Sequence, residues 1–192
     1  VRLIVCLLAA FAATACDRQK AEEPQAPAGE SQQVKGVDRS QRGKPSPVTV
    51  FRDPDGGTFT LSKFRGTPLL VNLWASWCAP CIKELPTLQQ LESAHAGDGR
   101  LAVIAVSQDM APQGSVDAFL AERDLGRFAA YHDPEMGLSS ALGTQILPTT
   151  ILYDAGGKEV WRYVGDLDWT GPEATKLLAE ASGARARESE GN

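Results

Sequence analysis

The sequence predicts an α/β domain in which a mixed β-sheet is flanked by helices. Three observations point there. Short, nearly continuous apolar runs at Leu69–Trp74 and Leu101–Val106 have the character of strands buried on both faces. Segments with helical periodicity follow each run, so strand and helix alternate. Near the end, Thr149–Tyr153 and Glu159–Val164 flank Asp154-Ala155-Gly156-Gly157, a hairpin signal that makes the sheet mixed.

Taken in order, Val48–Phe51 and Thr58–Leu61 flank the turn-rich Asp53-Pro54-Asp55-Gly56-Gly57 and read as an N-terminal β-hairpin. From Ala79 to about His95, Ile82, Leu85, Leu88 and Leu91 recur every third residue, which is helical spacing. Pro86 falls inside that helix and removes a backbone bond, so a kink is expected. Ser115–Arg123 reads as an amphipathic helix with Ser115 as its N-cap. Phe128–His132 has strand character and Glu135–Leu142 that of a short helix, completing a central helical insertion. Gly171–Ala181, with Pro172 in its first turn, is the last helix.

The chain has 192 residues, a formal net charge of −5 and 43% hydrophobic residues. One packed domain plus extensions is expected. Its lysines and arginines are scattered, which excludes the basic footprint of a nucleic-acid binder. The run Leu3–Ala13 is apolar but too short for a spanning helix. With Arg2 before it and small residues after it, it has the form of an export signal. Its end, Ala13-Thr14-Ala15-Cys16, resembles the bacterial lipobox, in which Cys16 would be lipidated, and it also contains an ordinary Ala-x-Ala cleavage site. Residues 17–47 lack aromatics and carry four prolines, the composition of a disordered linker. As a flexible chain it would reach about 30 Å. The expected organisation is signal 1–16, linker 17–47, folded domain 48–183 and polar tail 184–192.

Of the four cysteines, Cys6 lies in the signal and Cys16 at its edge. Cys78 and Cys81 remain, within "WASWCAPCIKELP". A structural zinc site needs two further ligands, and His95 and His132 lie far outside zinc-finger spacing. A static disulfide would close a tiny loop and constrain the unfolded chain little. Copper(I) capture by the two thiols is a third reading. Redox cycling suits the placement best: a Cys-x-x-Cys between a buried strand and a helix start puts the first thiol where unpaired N–H groups favour a thiolate. Pro80 fits the first turn because it has no N–H to lose there.

"WASWCAPCIKELP" together with "ILPTT" resembles the thioredoxin superfamily, in particular its exported TlpA/ResA-like branch, over roughly residues 47–182. The resemblance implies a thioredoxin-like fold and a cis peptide at Leu147-Pro148 facing the thiols. In the family, the residue before that proline offers its backbone to an extended substrate peptide. Gly165 matches a loop bordering the thiols, and Trp77 a docking surface, whereas Trp74 ends the strand as core. Thioredoxin's buried aspartate is replaced here by Asn72, which cannot accept a proton. The branch instead carries its acid at the position of Glu84, three residues past Cys81 and on a similar helix face. Burial would raise the pKa of Glu84 and fit it to shuttle the proton of Cys81; the alternative is a solvated glutamate beside Lys83.

The resemblance implies an extracytoplasmic protein-disulfide reductase with Cys78 as nucleophile and Cys81 as resolving thiol. Its clients would be apocytochrome c or copper-site cysteines. A membrane electron donor would recycle it, the lipidated Cys16 would hold it at the membrane, and no cofactor beyond the Cys78–Cys81 disulfide is needed. A monomer is expected. The alternatives are a copper(I) carrier using the same thiols and a disulfide oxidase of the same fold. The residues do not set the direction, because potentials across this fold run from about −270 to −120 mV.

Overall fold

Leu69–Trp74 is wholly buried and forms the middle of the sheet, with side chains alternating between two cores. Leu70, Asn72 and Trp74 face one side; Leu69, Val71 and Leu73 face the other. The computed structural model describes residues 35–126 and 128–189, with side chains described as far as residue 180. Within these residues the strands are β1 (Gly36–Asp38), β2 (Phe51–Arg52), β3 (Thr58–Phe59), β4 (Leu69–Trp74), β5 (Ala102–Ser107), β6 (Ala130–His132), β7 (Thr149–Tyr153) and β8 (Glu159–Val164). The helices are α1 (Ala79–His95), α2 (Gln113–Ala121), α3 (Gly137–Leu142) and α4 (Pro172–Ser189).

The eight strands form one sheet in the order β1-β8-β7-β4-β5-β6-β2-β3. β4 runs parallel to β5 and antiparallel to β7, so the sheet is mixed, as the hairpin signal predicts. On one face Leu70 and Trp74 pack with Leu85, Leu88, Trp161, Trp169 and Leu177, under α1 and α4. On the other, Val71, Leu73, Ile104, Leu138 and Ile151 form a second core. The architecture is the expected thioredoxin-like one, a mixed sheet flanked by four helices.

Several boundaries differ from the sequence reading, β6 and α3 each starting two residues later than expected. Residues 36–38, assigned above to the linker, form β1 on the free edge of β8. One apolar side chain, Val37, packs on the core, and Arg39 and Arg42 both engage Glu180 of α4, so low overall apolarity does not prevent ordering here. α2 begins at Gln113 behind Pro112, and Ser115 lies inside the helix rather than capping it. Proline's fixed φ and missing N–H suit a helix start, and Pro112 takes that place. The N-terminal hairpin is shorter than read: its first strand is Phe51–Arg52 rather than Val48–Phe51, and its second ends at Phe59 before Leu61–Phe64 turns into a 3-10 helix. The tail expected from 184 is helical to Ser189, consistent with its Ala and Arg content. The export signal, Cys6, Cys16 and residues 17–34 lie outside the described residues.

Candidate active site

The strand β4 ends at Trp74, and the four residues after it bring Cys78 to the N-cap of α1. A buried carboxylate fixes this turn. Asp109 Oδ2 accepts from the Ser76 N–H at 2.9 Å and from Ser107 Oγ at 2.7 Å, while Oδ1 accepts from Ser76 Oγ at 2.7 Å. The Asp109 carbonyl in turn accepts from His132 Nε2 at 2.8 Å, tying the turn to β6. Met110, the residue after Asp109, is exposed, and so is Trp77, the residue after Ser76, at 69%.

Cys78 and Cys81 are joined as a disulfide with Cα atoms 5.3 Å apart. Cys78 Sγ accepts from the Cys81 N–H at 3.3 Å, so the helix N-terminus aims a donor at that sulfur. Cys78 is 6% exposed and Cys81 not at all, which leaves the first sulfur the more accessible. Pro80 is exposed in the first turn, and the helix runs on through Pro86.

The Leu147–Pro148 peptide is cis. Leu147 packs against the core that holds both cysteines, and Pro148 is buried. The Gly165 N–H donates to the Pro148 carbonyl at 2.9 Å, holding the loop after β8 to the proline loop. Gly165 has φ +100, and a Cβ there would meet the Lys35 side chain at 2.9 Å. The backbone conformation favours glycine, whereas the exposed Lys35 side chain could move aside for a Cβ.

Glu84 is 3% exposed, on the face of α1 turned toward Asn72. Its Oε1 accepts from Asn72 Nδ2 at 2.8 Å; its Oε2 accepts from the Leu167 N–H at 3.0 Å and from Trp169 Nε1 at 3.1 Å. Burial pushes its pKa from 4.5 up to about 7, against the three donors, which favour the ion; the nearby Asp166 adds to the rise. Asp166 itself bridges Lys35 at 2.8 Å and Lys83 at 3.0 Å, and these cations hold its pKa down at about 2. Glu84 is therefore not the solvated alternative; it is Lys83 beside it that reaches outward.

Cys78, Cys81 and Glu84 thus share the start of α1, Leu147 packs on the core that holds both cysteines, Gly165 is bonded to Pro148, and Trp77 and Pro80 are exposed beside Cys78. His95 and His132 do not join them: His95 is bonded to Asp98, and His132 sits at the end of β6 against Asp109. Among the described residues no group of three or more His, Cys, Asp and Glu side chains could hold a metal. Sequence reasoning missed Trp169, Leu167, Asp109 and Lys35. Asn72 had a signal, since a polar residue in a buried strand needs partners.

Residues 41–178 match the family model described as Redoxin. The chain belongs to the redoxin family. It is 30% identical over 129 residues to the thiol-disulfide oxidoreductase ResA of Bacillus cereus, covering 67% of this chain and 73% of that protein. It is 31% identical over 119 residues to the thioredoxin-like protein YneN of Bacillus subtilis, covering 61% of this chain and 68% of that one. Among solved structures, a Chlorobium tepidum protein described as thiol:disulfide interchange protein DsbE superposes with a TM-score of 0.62 at 27% identity. That match covers 74% of this chain and 96% of that one. This redoxin is a thiol-disulfide oxidoreductase of the ResA/DsbE type carrying a Cys78–Cys81 pair.

Proposed function

We propose that this oxidoreductase works outside the cytoplasm as a protein-disulfide reductase. The observation that carries the exchange chemistry is the unequal pair of sulfurs on α1 above a buried carboxyl group poised near neutrality; the reductive direction and the place outside the cytoplasm follow the resemblance to the exported TlpA/ResA-like branch. In the reduced chain, the Cys78 thiolate attacks one sulfur of a substrate cystine. A mixed disulfide forms and the first substrate thiolate leaves, taking up a proton. The Cys81 thiol then gives its proton to the Glu84 carboxylate and, as thiolate, attacks Cys78 Sγ. The second substrate thiolate departs and is protonated. Two electrons have passed to the substrate, and the chain is left with the disulfide seen here.

Trp77, Pro80 and the loop Leu147–Pro148, with Gly165 behind it, form the docking surface, where the Leu147 backbone would meet an extended peptide. The clients in this reading are apocytochrome c or copper-site cysteines, and a membrane dithiol donor restores the reduced state. Cys16 carries the lipid that keeps a monomeric domain at the membrane surface, and no cofactor enters the cycle.

The test is reduction of a protein disulfide by the pre-reduced chain and by its Cys78→Ser variant, with the potential of the Cys78/Cys81 couple measured alongside. Turnover by the parent alone, with a potential toward the −270 mV end of the range known for this fold, is expected. A potential near −120 mV overturns the reductive direction in favour of an oxidase. Incorporation of labelled fatty acid into the parent but not into Cys16→Ser checks the anchor.

A further inference from the structure

The two oxygens of Glu84 are held differently. Oε2 faces the Leu167 amide and the Trp169 indole, which are N–H donors and nothing else. A proton on Oε2 would be pressed against two donors that cannot turn. Oε1 has one side-chain partner among the described residues, Asn72 Nδ2 at 2.8 Å. The proton of a neutral Glu84 therefore belongs on Oε1.

Asn72 lies wholly buried on β4, in register with Thr150 on β7. Its Nδ2 also donates to Thr150 Oγ1 at 2.9 Å, whereas its Oδ1 is buried with no partner among the described residues. With Oε1 ionised, this orientation serves both neighbours, because Nδ2 has two hydrogens to give. With Oε1 protonated, it would set donor against donor. Turning the amide end for end removes the conflict: Oδ1 then lies between Oε1 and Oγ1 and accepts from both. The Thr150 hydroxyl can be acceptor in the first arrangement and donor in the second. Reversal places the Nδ2 hydrogens where Oδ1 has no partner among the described residues, a cost that the bonds Oδ1 gains from protonated Oε1 and from Oγ1 have to exceed. The amide's two ends have nearly the same shape, and the surrounding core need not move.

We infer that Asn72 is a positioning residue for proton exchange at Glu84, its amide reversing so that Oε1 keeps a hydrogen bond in both of its protonation states. This rests on the reading above in which Glu84 takes the Cys81 proton. The reversal adds to that reading a reason for an amide, rather than a carboxylate or an apolar side chain, at this place in β4.

The charged and titratable groups around Glu84 are few. Its own helix brings Cys81 and Lys83, and the segment after β8 brings Asp166, which engages Lys83. Tyr163 of β8 and Lys35 from the segment before β1 also couple to Glu84. On the β4 and β7 side Asn72 and Thr150 are the neutral partners. The side from which the reversal acts thus carries no competing charge among these groups.

Nuclear magnetic resonance on the labelled full chain, reduced, between pH 5 and 9 tests this directly. The Glu84 13Cδ shift reports its own protonation, and the Asn72 side-chain amide signals report the reversal. The Asn72 Nδ2 hydrogens should move with the Glu84 midpoint, and their Overhauser contact with the Thr150 methyl should be strong above it and weak below it. Amide signals that stay constant while Glu84 titrates overturn the inference and leave the proton-shuttle reading standing. A Glu84 carbon that shows no titration in this range defeats that shuttle reading, and the inference with it. Asn72→Leu supplies a second readout. A fixed donor supports only the ion, so its loss would raise the Glu84 midpoint by about one pH unit or more, tenfold in proton affinity. A reversing amide supports both forms, and its loss should move the midpoint by less than about half a unit, roughly threefold.

Discussion

Replacing Glu84 by glutamine should make the oxidised protein more stable above neutral pH while leaving it almost unchanged in acid. Burial holds the Glu84 carboxyl group at about 7 in the folded chain, against 4.5 for an ordinary glutamate. The folded state therefore binds this proton more tightly than the unfolded one. The stabilising contribution is complete below 4.5 and is lost as pH rises through about 7. At about 1.4 kcal/mol per pH unit, the loss amounts to ~3 kcal/mol at pH 8. Glutamine is neutral throughout and escapes it. Its carbonyl can accept from the Leu167 N–H and Trp169 Nε1 as Oε2 does, so the substitution need not orphan those donors. Urea unfolding followed by tryptophan fluorescence at pH 4.5, 6 and 8 measures the difference, provided the disulfide stays closed. The Glu84→Gln advantage should be near zero at the first pH and about 3 kcal/mol at the last. An advantage that does not change with pH would refute the reasoning, because it would mean that Glu84 ionises in the fold as easily as in water.

Three other substitutions follow from the same geometry. Asp166→Asn removes a negative charge that helps to raise Glu84, so the Glu84 midpoint and the pH profile of exchange should both move toward acid; an unmoved profile counts against the coupling. Asp109→Ala strips the acceptor from the Ser76 N–H, Ser76 Oγ and Ser107 Oγ, with an expected loss of about 3 kcal/mol in denaturant unfolding; a loss under about 0.5 would show that the turn before Cys78 is held by other means. Trp77→Ala should change stability by no more than about 0.5 kcal/mol, since the side chain is 69% exposed. It should nevertheless slow exchange with a protein disulfide and not with a small aromatic disulfide; equal effects on both would remove Trp77 from the docking surface.

The parts of this fold that local pattern dictates were legible residue by residue. Leu69–Trp74 is a nearly continuous apolar run, Thr149–Tyr153 lies between a proline and the Asp154–Gly157 turn, and α1 starts where the spacing of its leucines and Pro80 place it. β1 was not legible, because a three-residue edge strand is stabilised by what it meets: the free edge of β8 and Glu180, 138 residues beyond Arg42. The site divides in the same way. The thiols, the acid and the proline loop stand in two short motifs. The environment of the acid does not: Trp169 lies 85 residues from Glu84, in a loop whose composition says nothing about where its indole points. Asn72 was legible only in part. Its lack of a titratable proton was plain, whereas its role as donor depends on the β4–β7 register, which no local pattern reports. The Ser115 cap failed because a proline three residues earlier starts the helix first.

The two ends of the sheet have a bearing on how such a domain survives its own work. Among the described residues β1 and β3 are the outermost strands, three and two residues long. An open ladder that short offers a passing unfolded polypeptide little to zip onto. In the function proposed above, extended, cystine-bearing clients would then bind along the proline loop and leave again, without the flanks of the sheet seeding a growing stack.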